Sequence, residues 1–291
     1  MTVFTGSGVA IVTPFFENGD INYENFGKII DFQLENKTDA LIVAGTTGEA
    51  STMTDEEQRD VIKYAVERVN GRVPVIAGAG SNNTDHGINL SKMCEEAGAD
   101  ALLQVTPYYN KTSQRGLIEH YKKIAENVNI PIILYAVPGR TAMPIAPETV
   151  LELSKIKNIV GLKDATGDLS YAAKVRSLVG FDFDIYSGND DVTIPLMSIG
   201  AKGVISVIAN IYPEEVHNMV TDYLNGETEK AARTQIELKE LNDALFVEPN
   251  PIPVKAAMNI MGMDEGHLRL PLFEASDETK KRLEKIIGER K

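Results

Sequence analysis

One cysteine in 291 residues, Cys94, excludes any disulfide within the chain. It falls in a helical-looking segment, LSKMCEEAG, where it is expected to act as a small buried apolar group. So little thiol fits a reducing, cytoplasmic setting. Basic residues are also scarce: 29 Lys and Arg face 42 Asp and Glu, for a formal net charge of −13. No basic run offsets that balance, so a nucleic-acid surface is not expected. No apolar run is long enough to span a bilayer, and no membrane partner is expected. The stretch MTVFTGSGVAIVTPF has no positive n-region and its apolar run is broken by Pro14, so it does not read as a signal peptide.

The signatures of several enzyme classes are missing too. The histidines, His86, His120, His217 and His267, are not paired at ligand spacing, so no bound metal is expected. GTTGE is followed by no GK[ST] and is not a P-loop. GAGSNN is too weak a pattern for a nucleotide loop. No G-x-S-x-G elbow supports Ser-His-Asp acyl transfer.

What is present is a repeated unit. The short apolar runs GVAIVTPF, DALIVAG, PVIAGAG, DALLQVTP, PIILYAVP, IVGLKDA, FDIYSGN and GVISVIA alternate with helical patterns such as NYENFGKIIDFQLEN, TDEEQRDVIKYAVERVN and SQRGLIEHYKKIAENVN. The runs are too short for typical helices and most are rich in β-branched residues. TDEE reads as a helix start. Strands that are apolar throughout imply a parallel sheet covered by helices, and eight units are the number that closes an α/β (β/α)8 TIM barrel. The catalytic barrel is expected over residues 1–225. Residues 226–291 show only helical segments and a proline-rich joint, EPNPIPVK, and are expected to form a C-terminal helical extension packed on the barrel. A doubly wound open sheet is the rival, but VTPFFENGD lacks the glycine fingerprint of its first turn.

A barrel carries its chemistry at the C-terminal ends of its strands. There the sequence places Thr46 and Thr47 in a glycine-flanked turn, Tyr108 and Tyr109 in TPYYN, Tyr135 and Arg140 in LYAVPGRT, Lys163 in NIVGLKDATGD, then YSGND and GVISVIAN. The opposite end shows no comparable set. Each member has an ordinary reading. The threonines can be local hydrogen-bond partners, the tyrosines wall aromatics, Arg140 a surface ion-pair residue, and Lys163 a side chain that tips outward. Together they suggest more. Lysine is rarely buried without compensation. Loss of water favours a neutral amine, and a neutral amine can attack a ketone. The protonated imine then withdraws electrons, a neighbouring C–H loses its proton, and an enamine forms. A lysine among hydroxyls, with no metal, is the equipment of Schiff-base chemistry.

The set GTTGE, TPYYN, LYxVPxRT, GLKDATGD and FVEPNPIPVK resembles the dihydrodipicolinate synthase (4-hydroxy-tetrahydrodipicolinate synthase) family, a branch of the pyruvate-dependent class I aldolases and lyases. The resemblance covers essentially the whole chain, with the motifs in family order and at family spacing. It implies that Lys163 forms an imine with pyruvate and that Tyr135 passes protons there. Thr46 links Tyr135 to Tyr109 in a hydroxyl relay, and Tyr109 serves the neighbouring subunit's site. Thr47 holds the pyruvate carboxylate, the Ile205 carbonyl lies near it, and Arg140 binds the carboxylate of L-aspartate 4-semialdehyde. It implies a lyase without a cofactor, at least a dimer and commonly a tetramer, on the route to lysine and diaminopimelate. The arginine of VPGRT and the tail EPNPIPVK point to the synthase over sugar-acid or N-acetylneuraminate-type aldolases. A keto-acid-binding sensor barrel is the non-enzyme alternative.

Two residues depart from the family pattern. Ala136 stands where asparagine is expected and Ala142 where glycine is common. Altered packing or loop order is expected from them, with the chemistry kept. His86, Asp55 and Gln58 replace the glutamate and histidine that hold free lysine in lysine-inhibited relatives, so weak or absent lysine feedback is expected.

Overall fold

The computed structural model describes residues 2–263 and 266–290. Eight short strands hydrogen-bond in chain order, and the last closes on the first. They are β1 (Gly6–Ala10), β2 (Ala40–Val43), β3 (Val75–Gly78), β4 (Ala101–Val105), β5 (Ile132–Ala136), β6 (Ile159–Asp164), β7 (Asp184–Ser187) and β8 (Gly203–Ser206), all parallel. The expected (β/α)8 barrel is the observed fold, and the open sheet is not. Each apolar run of the sequence continues past the end of its strand. After β8, for example, Val207 and the 3-10 turn Ile208–Asn210 stay buried without pairing. The barrel mouth is itself an interior, so apolar residues persist where the ladder has stopped.

Between the strands lie α1 (Tyr23–Glu35), α2 (Asp55–Val69), α3 (Thr84–Glu96), α4 (Gln114–Ala125), the short α5 (Pro138–Thr141), α6 (Pro147–Leu153), α7 (Leu169–Val179), the short α8 (Thr193–Met197) and α9 (Pro213–Leu224). In TDEE, Thr54 Oγ1 accepts from the Glu57 N–H at 3.2 Å and the Glu57 carboxylate accepts from the Thr54 N–H at 3.0 Å. This reciprocal cap satisfies two donors that the first turn of α2 would otherwise leave unpaired. After α9 the chain turns at Gly226, with φ of +88°, and continues as α10 (Thr228–Glu237), α11 (Lys239–Leu245), α12 (Ile252–Ile260) and α13 (Asp277–Glu289). α10 lies against α8 and α9, and α12 against α13.

Strand alternation produces two shells of apolar packing. Val9, Leu41, Val43, Leu134 and Leu162 face the helices, whereas Ala40, Ile42, Ile76, Leu103 and Ile133 fill the barrel. Cys94 lies in the outer shell, where burial pushes its thiol up to about 12. It is a packing residue, as expected. Ala136 also faces outward, as its alternation with Tyr135 requires. Phe4 closes the barrel floor, stacked on Tyr186 with ring centroids 4.4 Å apart. Gly8 makes room for it: a Cβ there would come within 2.9 Å of the Phe4 ring. Among the described residues no helix is long and apolar enough to cross a membrane, and no three His, Cys, Asp or Glu side chains group to hold a metal.

Candidate active site

Register decides which side chains share a layer. Val105 pairs with Tyr135, Tyr135 with Lys163, and Lys163 with Tyr186. In-register residues of parallel strands point the same way, so all four face the barrel interior below its C-terminal mouth. Lys163 is 6% exposed and does not tip outward. Its Nζ lies 4.3 Å from the centroid of the Tyr135 ring. Among the described residues that amine has no hydrogen bond and no ion pair. A buried polar group without a partner is costly and rare. Ile205 belongs to the same interior cluster as Tyr135.

Above this layer opens a cavity of about 420 Å³, lined among others by Thr46, Tyr108, Tyr135, Val137 and Arg140. The turn after β2 is built for it. Ala44 and Glu49 take left-handed φ values of +52° and +58°, so the chain reverses tightly around Thr46 and Thr47. Thr13 Oγ1 donates to the Gly48 carbonyl at 2.8 Å from behind. A Cβ on Gly48 would stand 3.1 Å from the Ile11 carbonyl, which explains the glycine. Thr46 is exposed at the mouth, whereas Thr47 is buried. Arg140 sits on the one-turn α5, whose end is held by Thr106 Oγ1 donating to Thr141 Oγ1 at 2.9 Å. α5 closes on Ala142, which has φ of +51°. Glycine is common there because a left-handed residue with a Cβ is strained.

Lys163, Tyr135 and Ile205 are thus brought together in the barrel, with Thr46 and Arg140 on the cavity above them. Tyr109 is not brought in: it is 94% exposed, has φ of +68°, and stays outside that cavity. Within one chain, no hydrogen bond joins the hydroxyls of Thr46, Tyr135 and Tyr109.

Three further groups shape the site. Asn250 Nδ2 donates to Thr47 Oγ1 at 2.9 Å, while the Asn250 carbonyl accepts from Arg140 Nη2 at 3.0 Å. One residue of the EPNPIPVK joint therefore bridges two of the expected substrate anchors. Asp190 is buried in the turn after β7. Its carboxylate accepts from Ser206 Oγ and from the N–H groups of Val207 and Ile208, at 2.8 and 3.3 Å for the last two. Burial raises its pKa, and those bonds and the charge of Lys163 oppose the rise. Glu49 pairs with Lys255 in the interior. The only sequence signals were the unusual joint and the polar run YSGND, which did not separate Asp190 from its neighbours.

The opposite end of the barrel is richer than its sequence suggests. Arg176 donates to the carbonyls of Ile199, Gly180, Phe183 and Gly200. Asp39 accepts from Ser7 N–H at 2.7 Å and pairs with His217 Nδ1 at 2.8 Å. These residues are scattered along the chain, meet on folding and bond to one another or to backbone.

At the rim of the mouth, His86 Nε2 lies 2.9 and 3.0 Å from the two Asp55 carboxylate oxygens, and His86 Nδ1 lies 2.8 Å from Ser81 Oγ. Gln58 Nε2 donates to the Ala50 carbonyl at 2.9 Å. His86, Asp55 and Gln58 line the same cavity.

This geometry has close counterparts. The profile of the Dihydrodipicolinate synthetase family matches residues 3–290. The 4-hydroxy-tetrahydrodipicolinate synthase of Thermoanaerobacter sp. (strain X514) is 57% identical over 289 residues, covering 99% of this chain and 97% of that protein. The enzyme of the same name from Acetivibrio thermocellus is 55% identical over 275 residues, covering 94% and 93%. The crystal structure of dihydrodipicolinate synthase from Aquifex aeolicus superposes with a TM-score of 0.96 at 44% identity, covering 99% and 98%. The chain belongs to the dihydrodipicolinate synthetase family.

Proposed function

We propose that this protein is a lyase that condenses pyruvate with L-aspartate 4-semialdehyde through a Schiff base on Lys163, giving 4-hydroxy-tetrahydrodipicolinate for lysine and diaminopimelate synthesis. The observation that carries this reading is the Lys163 amine, buried beside Tyr135 with no hydrogen-bond or ion-pair partner among the described residues. Relatives named for that synthase, aligned over nearly the whole chain, support it over a sugar-acid aldolase or a sensor barrel.

Each residue has a part in the chemistry. The Lys163 amine adds to the pyruvate ketone, and water leaves as the imine forms. Tyr135 carries the protons this requires. Thr47, with the backbone of its turn, receives the pyruvate carboxylate, and the Ile205 carbonyl borders the bound ketoacid. The imine loses a methyl proton to become an enamine, whose carbon attacks the aldehyde of the second substrate. Arg140 holds that substrate's carboxylate by charge-assisted hydrogen bonds. Its amino group then attacks the imine carbon, closes the ring and releases Lys163. These steps need no cofactor and no metal.

Tyr109 supports an oligomer as the working form. A tyrosine that is 94% exposed, in a left-handed conformation beside the mouth, suits reaching a second subunit's site and completing the relay through Thr46 and Tyr135. A dimer is then the minimum unit, and a tetramer its pairing. The buried Cys94 thiol suits a cytoplasmic enzyme. A coupled assay with both substrates tests the reading. Turnover with aspartate semialdehyde and none with 2-keto-3-deoxy sugar acids is expected; the reverse preference would move the protein to the aldolase branch.

A further inference from the structure

The catalytic reading leaves one buried ion pair unused. Glu49 and Lys255 are each 1% exposed, and Lys255 Nζ lies 2.6 Å from Glu49 Oε1. Glu49 is the acid of the GTTGE turn, two residues after Thr47, and it adopts a left-handed φ of +58°. Lys255 lies on α12, in the C-terminal helices. Lys255 Nζ also donates to the His267 carbonyl at 2.7 Å, and the Arg269 N–H donates to Glu49 Oε2 at 3.1 Å. Both cationic side chains lie over the ring of Phe15, at 4.8 and 4.3 Å from its centroid. Arg269 then grips the Glu57 carboxylate with both terminal nitrogens, at 2.7 and 2.6 Å, and reaches the carbonyls of Gly19 and Thr52. That contact holds the Glu57 carboxylate below its usual range.

Such a pair is an expensive way to stabilise a fold. Desolvating two charges often cancels their attraction, and apolar replacements can be as stable. What the pair adds is direction. A short charge-assisted bond admits few geometries. Glu49 is fixed from below by Lys255 and from the side by Arg269, and its own N–H donates to the Thr46 carbonyl at 3.1 Å. Five residues before Lys255, Asn250 reaches Thr47 Oγ1. The same stretch of the C-terminal segment therefore holds the turn at two points.

We infer that Lys255 and Glu49 are positioning residues: their ion pair sets the Thr46–Thr47 turn at the spacing that receives the ketoacid carboxylate. The inference rests on the functional reading above. Neither residue touches substrate. Loss of the pair then acts on pyruvate binding, with little effect on recognition of the aldehyde substrate, whose carboxylate meets Arg140.

The test compares Lys255→Met, Glu49→Gln and the double variant, as full-length protein. Each single change removes the Glu49–Lys255 bond while leaving one buried charge in place, and a fall in Tm of roughly 5–15 °C is expected. The double variant removes both charges and recovers most of that loss. The pyruvate KM, and the pyruvate concentration for half-maximal borohydride trapping, stay raised about tenfold in the double variant, the size of one misplaced charge-assisted contact. The KM for aspartate semialdehyde stays within about twofold. A double variant with recovered Tm and an unchanged pyruvate KM would show the pair to be structural only, as would one that fails to fold, and either overturns the inference. Absence of trapping in the unaltered enzyme would instead overturn the functional reading.

Discussion

The two ends of the barrel use their buried polar groups differently. At the N-terminal end Arg176, Asp39 and Tyr186 are answered within the chain. Arg176 spends its donors on four carbonyls, Asp39 takes a backbone N–H and His217, and Tyr186 donates to the Phe4 carbonyl at 2.8 Å. At the C-terminal mouth, the Lys163 amine and the Tyr135 hydroxyl have no hydrogen-bond partner among the described residues. Satisfied groups hold a fold together; the open amine and hydroxyl at the mouth are what the proposed chemistry requires. The mouth also shows how this is made tolerable. The groups beside the open ones, Thr47, Asp190 and Glu49, are held firmly by Asn250, Ser206 and Lys255.

Substitutions on the two ends should therefore separate activity from stability. Lys163→Ala is expected to abolish turnover, while Tm shifts by less than about 5 °C, because no hydrogen bond is lost. Steady-state kinetics beside a thermal melt gives both numbers; an unfolded variant would contradict the division. Tyr135→Phe keeps the ring and removes the hydroxyl proposed to carry protons, so kcat should fall ~10²–10⁴-fold. A kcat within threefold of the parent, by contrast, removes Tyr135 from the chemistry. Arg176→Ala does the opposite: it strands carbonyls at the floor and is expected to cost roughly 2–4 kcal/mol in urea unfolding, with kcat of the folded enzyme unchanged. Lost activity at native stability would break the comparison.

Smaller effects sharpen it. Ala142 carries a Cβ at φ of +51°, so Ala142→Gly should stabilise the end of α5 by about 0.5–1 kcal/mol, read as a slightly higher urea midpoint. A destabilised variant would mean that the strain is relieved elsewhere. At the rim, Asp55 and His86 already satisfy one another, and an ammonium ligand must displace His86 to reach the carboxylate. Free L-lysine is therefore expected to leave initial rates unchanged at subsaturating pyruvate. Clear partial inhibition at submillimolar lysine would show that the rim pair opens.

Much of this was legible in the sequence. Eight apolar runs are a one-dimensional record of a closed parallel barrel, and a lysine inside one of them stands out because burial should forbid it. Thr46, Tyr135 and Arg140 were readable for the same reason: they lie at or just past strand ends, and strand ends define the mouth. Asn250 and Lys255 were not readable, because they reach the mouth from 203 and 206 residues away along the chain. Arg176 was hidden in part, since two of its four carbonyl partners, Ile199 and Gly200, lie 23 and 24 residues away along the chain. Local patterns specify strands, helices and caps; they do not specify which distant side chain completes a turn. Ala142 lies between these cases, for its departure from glycine was visible and the left-handed backbone that explains it was not.

The central claim is that the open amine at the mouth is the reactive one. Incubation with pyruvate, borohydride reduction and peptide mapping tests it directly. The account predicts one reduced pyruvate per chain, carried on Lys163 and absent from Lys163→Ala. A label on any other lysine, or none on an otherwise active enzyme, would contradict it.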